Sequence, residues 1–271
     1  MAGSLGAEIS GVDLSKSLSN EVFAGIHQAF LDHLVIYFRD QNLTPAQHRD
    51  FALRFFKLEE HPYVEGIAEV PEITEIVKEP EEHRNWGGPW HADVTFKEEP
   101  SIGAALYARD VPPYGGDTGF ANMYLAWETL SDGMKALIDG LEAFHDSSGY
   151  DYSTAFRGMR GKAAAGDRAL HPVVRTHPET GRKALFVSRA YTTHFKDMTP
   201  AESKPLLEYL FDHASRIEHT TRIRWEKGSL AVWDNRVTMH CAIDDDFAAR
   251  NGGNGFRRVL HRATFAGQKP M

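Results

Sequence analysis

Leu230-Ala231-Val232-Trp233-Asp234-Asn235-Arg236-Val237-Thr238-Met239-His240 is the stretch on which the reading of this chain turns. Residues 230–233 read as a strand that ends at a polar turn, Asp-Asn-Arg, and a second short apolar run then delivers His240. Similar β-rich runs lie at residues 73–77, 102–108, 173–176, 184–187, 220–225 and 259–265. Pro178-Glu179-Thr180-Gly181 carries turn chemistry and joins two of them into a hairpin. Many short strands without regular alternation with helices predict an antiparallel sandwich or barrel, with the helices packed outside.

Four helices complete the outline. Residues 21–34 place apolar side chains at Val22, Phe23, Ile26, Phe30 and Leu34, the spacing of a helical stripe. Thr44-Pro45-Ala46-Gln47 and Thr199-Pro200-Ala201-Glu202 are capping boxes, each with proline at the first helical position. The second of these opens a helix predicted to run to about residue 216. Residues 124–141, with Leu125, Trp127, Leu130, Met134, Leu137 and Leu141 on one stripe, predict one further helix. Residues 147–167, rich in Gly, Ser, Ala and charge, read as a long loop, and such loops in compact domains often serve as lids. Neither repeat nor linker interrupts the chain, so residues 1–271 are expected to form one domain.

Composition narrows the function classes. A chain of 271 residues, 42% hydrophobic and 25% charged, has ordinary globular composition and ample core for its length. The net charge of −8 comes with scattered basic residues, which argues against a nucleic-acid partner. The one cysteine, Cys241, rules out an internal disulfide and suits a reducing compartment. Apolar runs fall short of a membrane span, and the start MAGSLGAEISG lacks the features of a signal peptide. The expectation is a soluble cytoplasmic protein with no membrane partner, and a homo-oligomer is compatible with it.

Trp90-His91-Ala92-Asp93-Val94-Thr95-Phe96 supplies the first chemistry. On a strand His91 and Asp93 would project from one face, and an imidazole beside a carboxylate makes two ligands for a divalent metal. A lone His-x-Asp reads better as a strand end at the surface, since such tripeptides are common by chance, so a third ligand is needed. His240 is the candidate, since two imidazoles and one carboxylate form the facial triad of non-haem iron(II) oxygenases. With 14 histidines in the chain, that partner alone is weak support. Phe256-Arg257-Arg258-Val259-Leu260-His261-Arg262 adds to it. There Arg258 and Arg262 share a strand face and could hold two anionic groups, although a solvated basic edge strand is the alternative.

These blocks together carry a resemblance. WHADVTF, Gly115-Gly116-Asp117-Thr118, WDNRVTMH and RRVLHRAT resemble, in order, the signature blocks of the taurine dioxygenase family. Its members are iron(II)- and 2-oxoglutarate-dependent dioxygenases, and it includes aryloxyalkanoate dioxygenases. The likeness runs from GAEISGVDL to HRAT, nearly the whole chain. It implies a double-stranded β-helix, or jelly roll, with His91, Asp93 and His240 as iron ligands. It further implies that Thr118 and Arg258 grip the far carboxylate of 2-oxoglutarate. His61 and Arg262 would meet the anionic group of the substrate, and Val94 and Tyr191 would line the same pocket. O2 and a small anionic organic molecule are the implied reactants.

Three departures bear on the substrate. Gly87 stands where taurine enzymes carry a pocket asparagine, which predicts a roomier and less polar pocket. His145-Asp146 is followed by Ser147-Ser148 and not by an aromatic residue, and Tyr191 replaces a phenylalanine. GGDTGFANMYLAWETLS and TPAESKPLLEYLFDHASR look closer to the aryloxyalkanoate branch. Two readings compete with an oxygenase: a non-catalytic jelly-roll binding protein, and a zinc hydrolase on the same ligands. Both would leave the arginine pair and Thr118 without a role.

Overall fold

Alternate residues of each central strand are buried in two different cores, and that division organises the molecule. In the computed structural model, which describes residues 3–60, 64–82, 87–148, 166–243, 245 and 255–271, Ala231 and Trp233 enter one apolar cluster while Leu230 and Val232 enter the other. Ala104, Leu106 and Ala108 likewise separate from Ala105 and Tyr107, as Leu260 does from Ala263 and Phe265. A strand covered on both faces reads as a continuous apolar run with no polar alternation. This is why residues 102–108 and 230–233 were legible as strands but not as having an inner and an outer face.

Among the described residues, eight strands form the principal sheet. Its path runs Ala7–Glu8, Val35–Phe38, Leu230–Asp234, Gly103–Asp110, Arg258–Phe265, Val70–Lys78 and Gly66–Ile67, with Leu58–Glu59 also paired to Arg258–Phe265. Every pairing is antiparallel except the first. Apart from Gly66–Ile67 and Val70–Lys78, which are adjacent in the chain, neighbours in this sheet are remote in sequence and held by long-range pairing. A smaller sheet, Thr220–Ile223, Thr118–Asn122 and Thr238–Ala242, contributes Phe120, Ala121 and Met239 to the cluster that also holds Trp233 and Leu260. Two antiparallel sheets closing on one apolar interior are the expected jelly roll. The predicted hairpin is present as Val174–Thr176 against Lys183–Leu185, with Gly181 at φ 69° in its turn.

Helices cover the outer face. Asn20–His33 and Pro45–Ala52 put Ile26, Phe30, Phe51 and Ala52 against the second cluster. Both predicted capping boxes are formed, with Thr44 and Thr199 each accepting from the backbone N–H three residues on. The second helix is Pro200–Ala214, ending within two residues of its predicted end, and Ser215 Oγ donates back to Phe211 O. The single helix predicted over residues 124–141 is instead two, Met123–Glu128 and Asp132–Ile138. Ser131 accepts from Met134 N and starts a new helix, while Thr129 Oγ1 donates back to Leu125 O. An N-cap inside an apolar stripe overrides the period. The expected lid at residues 147–167 lies largely outside the described residues.

Candidate active site: a buried His-Asp-His cluster

Backbone pairing brings the two histidines together before their side chains matter. His91 N donates to His240 O at 3.0 Å and His240 N donates to His91 O at 2.7 Å. They form a hydrogen-bonded antiparallel pair, with ring centroids 4.2 Å apart. His240 belongs to the strand Thr238–Ala242. The strand reading of residues 90–96 does not hold. His91 makes one isolated bridge, residues 93–96 form a turn, and Val94 adopts φ 47°. Asp93 therefore joins the histidines because the chain folds back, not because a pleat aligns positions two apart. A β-branched residue in the left-handed region costs about 1–3 kcal/mol, and such strain clusters at functional sites.

Three ligand atoms, one from each of His91, Asp93 and His240, lie within 4.8 Å of one another and are buried. Asp93 Oδ1 is 3.8 Å from His91 Nε2 and 3.7 Å from His240 Nε2. Those gaps exceed hydrogen-bond length. Metal–ligand bonds of about 2.1 Å would draw these atoms slightly closer together. His91 Nδ1 is engaged by Pro89 O at 2.7 Å, which fixes Nδ1 as the donor and leaves the Nε2 lone pair aimed inward. The donor set thus fits a divalent transition metal.

Electrostatics prepares the same state. Burial holds the His91 imidazole below its ordinary value and lowers His240 further, with the neighbouring His91 adding to it. Both rings are therefore neutral, as ligands must be. Burial by itself would raise the Asp93 carboxyl, but Arg262, His240, His91 and the Asn235 amide together hold it well below the carboxylate range. Arg262 Nη2 reaches Asp93 Oδ2 at 2.6 Å, and Asn235 Nδ2 donates to the same oxygen at 2.7 Å. The carboxylate is ionised, with one oxygen occupied by the protein and the other facing the imidazoles.

The other sequence candidates are placed as follows. Tyr191 is buried and sets its ring edge-on to His91, at 6.1 Å between centroids. Val94 directly follows Asp93 and is half-buried. Thr118 begins the strand Thr118–Asn122 and accepts from Trp225 Nε1 at 2.9 Å. Arg258 starts the strand Arg258–Phe265 and lies beside Gly116. Burial pushes its guanidinium down to about 10 despite Asp117 and Asp245, and its Nε finds no partner among the described residues. Leu260 lies two residues from each arginine and enters the interior core, so Arg258, Leu260 and Arg262 share the inward face. His261 faces the other way, toward Glu75 at 3.5 Å. His61 lies outside the described residues.

Gly87 modifies one expectation. A Cβ there would lie 2.9 Å from His91 Cε1, and the residue sits at φ 78°. Its missing side chain makes way for the His91 ring, so the room it leaves is taken up in part by a metal-ligand candidate and not by substrate alone. Gly87 O also accepts from Ala242 N at 2.8 Å, tying this loop to the strand that carries His240.

Sequence reasoning missed the outer layer. Asn235 was read only as part of a polar turn, although its place inside the WDNRVTMH block was a usable signal. His145 was noted only for the missing aromatic after His145-Asp146, with no role of its own. It is buried, with Nδ1 2.9 Å from Thr95 Oγ1 in the turn after Asp93, and its ring stacks on Phe186. Burial pushes His145 down to about 3, and it does the same to His48, whose Nε2 meets Ala105 O at 3.1 Å. Unfolded chains protonate such residues below about 6.5, whereas the folded protein refuses the proton until about 3. The unfolded state then binds more protons, so stability is intact above that window and falls as pH drops through it. The slope is about 1.4 kcal/mol per pH unit for each imidazole. Metal-free protein is expected to melt several degrees lower near about pH 5.5 than near about pH 7.5. An unchanged Tm would show that these histidines ionise within the fold.

Comparison with known proteins bears on the same residues. The profile of the family described as "Taurine catabolism dioxygenase TauD, TfdA family" matches residues 1–264. An alpha-ketoglutarate-dependent sulfate ester dioxygenase of Pseudomonas putida is 33% identical over 281 residues, spanning 100% of this chain and 89% of that protein. A (S)-phenoxypropionate/alpha-ketoglutarate-dioxygenase of Sphingobium herbicidovorans is 32% identical, spanning 97% and 92%. The crystal structure of a taurine dioxygenase from Burkholderia xenovorans superposes with TM-score 0.85 at 36% identity, covering 100% of this chain and 89% of that one.

Proposed function

We propose, from the premise that this chain belongs to the taurine catabolism dioxygenase TauD, TfdA family, that residues 1–271 form one dioxygenase domain that oxidises a small organic anion. The family depends on iron(II) and on 2-oxoglutarate, the alpha-ketoglutarate of the relatives' names. The overall reaction converts 2-oxoglutarate, O2 and a substrate C–H into succinate, CO2 and a C–OH. One observation carries the assignment: two neutral imidazoles and one ionised carboxylate converge in a buried jelly-roll interior. The relatives lend no support to a non-catalytic binding protein or a zinc hydrolase.

His91, Asp93 and His240 would hold the metal. Iron(II) bound there supplies the oxygen activation that oxidative decarboxylation of 2-oxoglutarate drives. The protein's part is charge, orientation and exclusion of water. Asp93 and Arg262 cancel each other's charge, so a divalent ion together with Arg258 would leave positive charge for a dianionic 2-oxoglutarate and an anionic substrate to neutralise. Arg258, half-buried and with its Nε unpartnered among the described residues, is the anchor for the far carboxylate of 2-oxoglutarate, and Thr118 can add its hydroxyl proton. Arg262 uses donors on Asp93 and on Thr264 Oγ1, at 3.2 Å, and a guanidinium has five N–H donors in all. The remaining donors, with His61, would meet the substrate's anionic group, while Tyr191 and Val94 supply its apolar walls.

Oxidation beside a heteroatom gives a product that fragments, so sulfonates, sulfate esters and aryloxyalkanoates are the substrate classes to separate. Gly87 offers taurine's amine no side-chain partner, and leaving a buried polar group unpaired costs about 1–3 kcal/mol. That penalty corresponds to roughly 5- to 150-fold in kcat/KM. We therefore expect a less polar anion, an aryloxyalkanoate, an alkyl sulfate ester or a longer alkylsulfonate, to exceed taurine by that margin. The measurement is succinate release with iron(II), 2-oxoglutarate and each candidate in turn. Taurine leading the series would refute the substrate assignment, and no substrate-dependent succinate from any class would refute the dioxygenase reading. The free, buried Cys241 is consistent with a cytoplasmic site of action.

A further inference from the structure

Asn235 lies on the turn between the strands Leu230–Asp234 and Thr238–Ala242 and is 2% exposed. We propose that Asn235 is a positioning residue that, with Arg262, pins Oδ2 of Asp93 and so makes Asp93 a one-oxygen ligand presented through Oδ1. The proposal rests on the ligand set assigned above and adds a residue that acts on the metal through one of its ligands.

The orientation of the amide is determined by its neighbours. Trp233 Nε1, which can only donate, points at Asn235 Oδ1 from 2.9 Å. The opposite end of the amide must then be the NH2 group. It donates to Asp93 Oδ2 at 2.7 Å and to Ser101 O at 3.3 Å. A flipped amide would set an N–H against an N–H and an oxygen against a carboxylate. Trp233 is itself held in place, with its ring 4.9 Å from that of His240 and the Arg262 guanidinium 5.3 Å above it.

The turn is anchored on its other side. Arg236 Nε and Nη2 grip both oxygens of Asp234 at 2.8 and 2.7 Å, and His177 Nε2 approaches Asp234 Oδ2 at 3.0 Å. Arg236 Nη2 also meets Glu179 at 2.9 Å, while Asn235 N donates to Ile102 O at 2.8 Å. Asp234 and Arg236 thus seal one another, and the middle residue alone is directed at the metal ligand. Both oxygens of Asp93 would otherwise compete for one ion. With Arg262 and Asn235 on Oδ2, rotation of the carboxylate would break two charge-assisted hydrogen bonds. Outer partners of this kind change metal affinity about 10–100-fold when removed.

Mn(II), added to metal-free full-length protein, is the probe, read by calorimetric Kd and by the EPR spectrum of the bound ion. Asn235→Leu keeps the volume and removes both ends of the amide. Its Mn(II) Kd is expected to rise about 10–100-fold, with an altered spectrum, because the ligand geometry loosens. Trp233→Phe removes the N–H that orients the amide, along with part of the indole packed against His240, and is expected to shift both readouts in the same direction. A role confined to folding would lower Tm and leave the spectrum of the bound ion unchanged. Kd within twofold of wild type together with a wild-type spectrum overturns the proposal. Should Asn235→Leu fail to fold, Trp233→Phe decides by the same two criteria. Failure of the wild-type protein to bind Mn(II) would strike the ligand assignment itself, a distinct outcome.

Discussion

Replacing Asp93 with alanine is expected to abolish succinate formation even with iron(II) and 2-oxoglutarate saturating. The two histidines would remain paired through their backbones, but a bidentate imidazole site lacks the charge and the third bond that hold the ion. Loss should exceed the roughly 10–100-fold penalty typical of an outer partner. The structure adds a second consequence. Arg262 keeps its charge, only 8% of its side chain is exposed, and its partner is gone. Breaking one side of a buried ion pair costs about 3–5 kcal/mol, so the variant should fold but melt well below wild type. Asp93→Asn separates the effects, since it retains the volume and loses the ligand charge. Substantial succinate from either variant, at saturating iron and 2-oxoglutarate, would refute the triad.

The second large effect concerns the arginines, which share a strand face but meet different groups. Arg258→Ala should raise the 2-oxoglutarate requirement by the worth of a buried charge-assisted pair, about 2–5 kcal/mol, or roughly 30- to 5,000-fold. Mn(II) binding by that variant should match wild type, because Arg258 touches none of the ligands. Arg262→Ala should weaken the primary substrate and, because Arg262 holds Asp93 Oδ2 at 2.6 Å, should weaken Mn(II) binding as well. From sequence alone Arg262 would be a pure substrate residue, and uncoupled 2-oxoglutarate turnover would survive its loss. With Asp93 as its partner, that turnover should fall too. Equal Mn(II) affinity in the two variants, with equal kinetic defects, would rule out the division of labour.

Legibility varied with the distance over which each feature is decided. Capping boxes at Thr44 and Thr199 are contained within four residues, and the structure forms both. The Pro178–Gly181 turn needs only a glycine able to adopt φ 69°, and the hairpin closes there. Apolar runs announced the strands because burial on both faces demands them. The failures had the same physical character in reverse. A period of 3.6 over residues 124–141 hid Ser131, whose short-range cap split the helix. Residues 90–96 matched a strand pattern, yet the backbone turns after one bridge because the site needs Asp93 folded back toward His91 and His240.

By itself the sequence determined the β-rich class, the local caps and turns, and, through its ordered blocks, the identities of the residues that bear the chemistry. Those are properties of side-chain type and near-neighbour spacing. Tertiary structure alone decided that His91 and His240 exchange backbone hydrogen bonds, that Gly87 is small to make way for the His91 ring, and that Arg262 and Asn235 converge on one oxygen of Asp93. Each of these joins segments remote in the chain. Their positions follow from antiparallel pairing across a sheet whose register is set by many strands at once, and no local pattern encodes that register.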